Sequence, residues 1–317
     1  MPVNTVRGPL DGSELGQTLI HEHIVTADWS MRMAFGAHFY EHDVVVERAV
    51  EQFLRAKESG VRTVVDGTPV NMGRDVALIR EVAERTGLEF IVSSGFYYQD
   101  EVYLKWRSED EIHAWLTREC EDGIAGTDVR PGIMKTACAD LGITPILDKV
   151  FRAIGRVAAE QRLPIFCHHH TEVGNGEAIV DLFESCGVAP NQLVLGHSGD
   201  TNDLDYLEGI LRRGAYLGMD RFGHCAAGNS LENRVRTITE LCARGHGDRL
   251  LLSHDLATYF GVFGSWEDFK TGESVDPTVD FTFINRQVVP ALASAGLTPD
   301  AVRAMLERNP VEFLEVH

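Results

Sequence analysis

A chain of 317 residues with 44% hydrophobic and 24% charged side chains can bury a full core, and its length fits one α/β barrel of roughly 250 residues plus elaborated loops. Its 48 acidic against 29 basic residues give a net charge of -19, which opposes a phosphate backbone or an anionic bilayer, so neither nucleic acid nor a membrane is expected as a partner. The six cysteines are scattered without a C-x-x-C pair, and Met1-Pro-Val-Asn-Thr lacks the basic and apolar regions of a leader; both features point to reduced thiols in a cytoplasm.

Short apolar runs that read as buried strands recur at 18–24, 62–67, 89–95, 132–136, 164–168, 192–197, 215–220 and 249–255. Between them lie segments of helical periodicity, among them 44–59 closed by Gly60, 75–86 closed by Gly87, and 146–161. Strand and helix alternation implies parallel pairing through right-handed crossovers. Eight such units, with no G-x-G-x-x-G after an early strand, favour a closed (β/α)8 TIM-like barrel in a single domain over an open doubly wound sheet. The segment from Leu256 to about Asp280 reads as one long irregular loop carrying Tyr259, Phe260, Phe263, Trp266 and Phe269; loops of that length are usually functional or disordered.

Residues with metal-ligand chemistry sit at the carboxyl ends of these runs, where barrel enzymes build their sites. His21 and His23 lie two apart on the first strand, so its period of two aims both into the barrel while Glu22 points outward. Lys135 ends the fourth strand, His168 the fifth, His197 the sixth and Asp255 the eighth. Four imidazoles and a carboxylate suit zinc or a similar cation. Taken singly, each residue has an ordinary structural reading: a strand-end histidine can simply satisfy a hydrogen bond, and Asp255 could cap the following segment. Parity separates the triplet His168-His169-His170: His168 faces inward as the ligand, His169 points the opposite way on a regular strand, and His170 falls toward the loop, the sequence assigning no role to either of the last two. His254, beside Asp255, is expected to pack or to bond behind the site.

The chain resembles the phosphotriesterase family of the amidohydrolase superfamily, especially its phosphotriesterase-like lactonases. The likeness rests on Thr-Val-Arg-Gly-Pro-Leu, Gly-Gln-Thr-Leu-Ile-His-Glu-His, Thr-Val-Val-Asp, Gly-Arg-Asp, Ser-Gly-Phe-Tyr-Tyr, Gly-Ile-Met-Lys, Pro-Ile-Phe-Cys-His, Gly-His-Ser-Gly-Asp-Thr, Gly-Met-Asp-Arg-Phe-Gly, Leu-Ser-His-Asp and Asn-Pro-Val-Glu-Phe-Leu, in order along nearly the whole chain. It implies two divalent metal ions, zinc first with cobalt, manganese or iron as alternatives. His21, His23 and Asp255 would hold the buried ion, His168 and His197 the exposed one, and a carboxylated Lys135 would bridge them. An ammonium between two dications would be repelled, whereas a carbamate supplies anionic oxygens.

The resemblance also implies that Tyr97 points at the reacting oxygen, although plain aromatic packing would place a tyrosine there too, and that Arg221 shapes the substrate pocket. The implied reaction is opening of γ-, δ- or acyl-homoserine lactones, with Asp255 taking a proton from the attacking water, and with phosphotriester hydrolysis as a side activity. A phosphotriesterase or carboxylesterase on acyclic substrates, or a non-catalytic barrel that binds a small molecule, are the alternatives. The aromatics of the 256–280 segment suit a small uncharged lactone or ester, or a subunit contact. A homodimer is what the family suggests.

Overall fold

The computed structural model describes residues 2–36, 41–223, 229–261 and 279–316. A short antiparallel hairpin, β1 (Val3–Thr5) and β2 (Gly8–Leu10), opens the chain. Among the described residues nine parallel strands follow: β3 (Thr18–Ala27), β4 (Thr63–Asp66), β5 (Glu89–Gly95), β6 (Ile133–Ala137), β7 (Ile165–His168), β8 (Leu193–Gly196), β9 (Tyr216–Met219), β10 (Leu250–Leu252) and β11 (Ala257–Gly261). Their order in the sheet is β10-β9-β8-β7-β6-β5-β4-β3-β11. The two edge strands are consecutive in the chain, and the backbone closes the ring between them: Asp255 N–H donates to His21 O at 3.0 Å and His23 N–H to Leu256 O at 2.8 Å. The sequence-expected TIM-like barrel is the fold observed, its eighth strand broken into β10 and β11.

Continuous apolar runs form these strands because both faces are covered. Ile20, Val65, Ile91, Ile133, Phe166, Val194, Tyr216 and Leu251, one from each stave, pack inside the barrel, with Phe313 of the C-terminal helix against them. The opposite faces pack beneath the helices. Helices start and stop where local chemistry dictates: Asp75 caps Val76–Thr86 and Gly87 ends it in a left-handed turn at φ +67°, while Thr144 caps Pro145–Gln161.

Two features depart from the sequence expectation. The long loop expected after Leu256 begins instead with strand β11, which extends the barrel along β3; residues 262–278, with Phe263, Trp266 and Phe269, lie outside the described residues. Within β3 the register shifts between Leu19 and Glu22. This irregularity turns two consecutive side chains inward: Ile20 joins the inner core, and the His21 ring sits 4.2 Å from that of Phe166.

Candidate metal centre

All eight sequence-expected site residues converge at the carboxyl mouth of the barrel. His21 and His23 come from β3, Lys135 from β6, His168 from β7, and Tyr97, His197, Arg221 and Asp255 from the residues just beyond β5, β8, β9 and β10. His21 Nε2 lies 2.6 Å from Lys135 Nζ and 3.4 Å from Asp255 Oδ1. His23 Nε2 is 3.1 Å from the same carboxylate oxygen, and His197 Nε2 is 2.7 Å from His168 Nδ1. Tyr97 OH reaches His168 Nδ1 at 3.0 Å, so the ring does more than pack against Tyr98. Arg221 Nε donates to Asp255 Oδ2 at 3.2 Å and its Nη1 to Asp200 Oδ2 at 2.8 Å.

Asp220, at the end of β9, organises two of the imidazoles and was not singled out from sequence. It accepts from His21 Nδ1 at 2.9 Å on one oxygen and from His197 Nδ1 at 2.9 Å on the other. The signal was present: a carboxylate closed the seventh apolar run, as His197 closed the sixth. Thr68 does the same for His23. Its hydroxyl donates to Val25 O at 3.3 Å and therefore accepts from His23 Nδ1 at 2.8 Å.

These anchors settle which ring nitrogens face the centre. With Nδ1 donating to Asp220 and the ring neutral, His21 carries a bare lone pair on Nε2, and the anchored Nδ1 atoms of His23 and His197 leave their Nε2 atoms facing the centre. His23 Nε2 and Asp255 Oδ1 lie 3.1 Å apart, a nitrogen and a carboxylate oxygen close enough to share one cation. His21, His23 and Asp255 form one cluster of metal-ligating groups; His21, His197 and Asp220 form a second. The donor set fits a metal site on its own chemistry.

Charge states follow from burial and neighbours. Burial, reinforced by the Lys135 charge, pushes His21 down to about 3; burial, then the neighbouring His197, holds His168 well below its ordinary value. Both rings are neutral and available as ligands. Burial also lowers Lys135 to about 8, partly offset by Asp255 and Asp220. For Asp220, burial alone would raise the pKa, but the charge and hydrogen bond of His197 and the bond from His21 keep the carboxyl ionised. Asp255 is likewise held well down against its burial by His21, His197, His23 and Arg221. Burial and the nearby Asp255 raise Tyr97, so its phenol keeps its proton.

The backbone at this mouth is under strain. His197, Arg221 and Asp255 all sit at positive φ (64°, 60° and 60°), a region that costs a side-chain-bearing residue ~1–2 kcal/mol and persists where surroundings over-determine it. Behind Asp255, Glu22 supplies that determination. Its Oε1 accepts from Ser253 Oγ, His254 N–H and His254 Nδ1 at 2.7–2.8 Å, and its Oε2 from Leu256 N–H at 3.0 Å. His254 completes the link by accepting from Ile284 N–H at 3.1 Å. His169 turns away from the centre, with Nδ1 2.6 Å from Gly196 O, and His170 opens the short turn Thr171–Val173.

A parallel α/β barrel whose mouth gathers four imidazoles, a buried lysine and carboxylates belongs to the class of metal-dependent hydrolases. The phosphotriesterase family model matches residues 1–314, and the chain belongs to that family. It is 33% identical to the phosphotriesterase homology protein of Mycobacterium tuberculosis, covering 99% of this chain and 97% of the relative. It is 29% identical to the aryldialkylphosphatase of Saccharolobus solfataricus, over 96% of both chains. The N-acetyltaurine hydrolase of Homo sapiens is 25% identical, over 98% of this chain and 97% of that one. No described helix is long and apolar enough to cross a membrane.

Proposed function

We propose that this hydrolase opens lactone rings to hydroxy acids with two divalent ions, zinc first among them. His21, His23 and Asp255 would hold one ion, His168 and His197 the other, and a carboxylated Lys135 would bridge both. Carboxylation is supported by the setting of the lysine: it is buried to 1% exposure among groups that favour a cation, where an anionic carbamate is compatible with two ions and an ammonium is not. The metals would supply Lewis acidity and lower the pKa of water from 15.7 to about 7, as in zinc enzymes.

The observation that carries the acyl-transfer reading is the Tyr97 hydroxyl, 3.0 Å from His168 Nδ1 and pushed by burial toward keeping its proton. A neutral phenol so placed donates to the oxyanion that forms as a carbonyl is attacked. Asp255, ionised and clamped by Arg221, takes a proton from the attacking water and returns it to the departing ring oxygen, leaving an alcohol and a carboxylic acid that loses its remaining proton to solvent. Phosphotriester hydrolysis is the second reading, favoured by the aryldialkylphosphatase among the relatives. Both reactions build negative charge on oxygens around a central atom, so one site serves either.

The test reconstitutes metal-free protein with zinc, with and without bicarbonate, and compares γ-, δ- and acyl-homoserine lactones with paraoxon, aryl esters and N-acetyltaurine. About two zinc ions per chain, recovery hastened by bicarbonate, and kcat/KM highest on a lactone are expected. A larger kcat/KM on paraoxon or N-acetyltaurine would overturn the lactone assignment, and turnover without bound metal would overturn the metal chemistry.

A further inference from the structure

The helix Leu231–Ala243 carries Arg234, one of the largest fully buried side chains among the described residues. A guanidinium at that depth is tolerated only where its donors are matched, and the partners found here are informative. Nη2 donates to Asp200 Oδ1 at 2.6 Å, Nη1 to the Asp220 carbonyl at 3.0 Å and Nε to the Asn229 carbonyl at 3.2 Å. One side chain thus ties together the turn after β8, the end of β9 and the approach to its own helix. The fit is close: a Cβ added at Gly199 would fall 2.6 Å from Nη1.

Two of these bonds act on Arg221. Asp200 accepts from Arg234 on one oxygen and from Arg221 Nη1 on the other, at 2.8 Å. The Asp220 carbonyl belongs to the peptide immediately before Arg221, whose φ of +60° needs outside support. Arg221 in turn meets Asp255 Oδ2 at 3.2 Å.

We propose that Arg234 is a positioning residue: by gripping both the Asp200 carboxylate and the 220–221 peptide, it presents the Arg221 guanidinium to Asp255. Lysine cannot replace it, because a single ammonium lacks the planar fork that reaches a carboxylate and a carbonyl in two directions. The inference rests on Asp255 being the working carboxylate, but not on which ester is hydrolysed.

The experiment compares Arg234→Lys in the parent and in an Arg221→Met background. It follows kcat on whichever substrate the parent turns over, metal content, and solvent exchange of the Arg221 Nε–H by NMR in metal-free protein. In the parent background kcat should fall about tenfold or more, since small misplacements of reacting groups carry penalties up to ~10², while zinc content stays at the parent level. In the Arg221→Met background the same substitution should cost no further rate. Exchange at Arg221 Nε–H should accelerate about tenfold or more, a readout that holds even if no proposed substrate is turned over. If Arg234→Lys fails to fold, Asp200→Asn breaks the same chain and should give the same pattern. Equal losses in both backgrounds, or unchanged Arg221 exchange, would overturn the assignment.

Discussion

A metal-binding imidazole works well only when its second nitrogen is held, and Asp220 holds two rings at once through its two oxygens. The carboxylate also accepts from the His197 backbone N–H at 2.8 Å, so it fixes a residue at positive φ as well as its ring. Asp220→Ala would let both imidazoles rotate and take the other tautomer. Outer partners of this kind are worth ~10- to 100-fold in metal affinity, and a loss in that range is expected by competition with a chromophoric chelator. Zinc affinity equal to the parent's would show that His21 and His197 need no such anchor.

At the level of elements, β3 and the corner at residues 253–256 form one device. β3 presents His21 and His23 inward, and between them Glu22 turns outward to grip the corner that carries Asp255. The same alternation that exposes two ligands therefore builds the support for a third. Glu22→Ala would leave the buried donors on Ser253, His254 and Leu256 without an acceptor. At ~1–3 kcal/mol for each unsatisfied group, a loss of roughly 3 kcal/mol or more is expected from denaturant unfolding. Glu22→Gln keeps an acceptor oxygen and should cost less. A midpoint within experimental error of the parent for the alanine variant would mean that the corner is held by other contacts.

For the molecule as a whole, buried neutral histidines tie stability to pH. Burial lowers His169 from 6.5 to about 4 despite its bond to Gly196 O, and lowers His21 to about 3. A folded-state pKa below the unfolded value means that the unfolded chain takes up protons first. The stability is fully present above about 6.5 and drains as pH falls from there toward the folded values. The thermal midpoint of metal-free protein should therefore drop between pH 7 and pH 5, and His169→Gln should flatten the slope. A midpoint constant over that interval would contradict burial of these rings in neutral form.

Much of this was legible in the sequence because the governing rules are local. A strand covered on both faces must be a continuous apolar run, and all eight expected runs overlap strands of the barrel, from β3 to β10. Period two put His21 and His23 on one face, and position at the ends of runs marked Lys135, His168, His197 and Asp255. The N-terminal hairpin escaped because its strands are three residues each, too short for a pattern, and β11 escaped because Ala257–Gly261 contains the glycine and aromatics of an ordinary loop. His254 bonds behind the site as expected, but which supporting groups pair with which escaped for a different reason. Asp220 meets His21 across 199 residues of chain and Glu22 meets His254 across 232; nothing in local spacing relates such pairs until the barrel closes. Composition and periodicity determined the barrel and the candidate ligands, while closure alone decided which carboxylate holds which ring, because a hydrogen bond depends on where two groups end up and not on how far apart they lie along the chain.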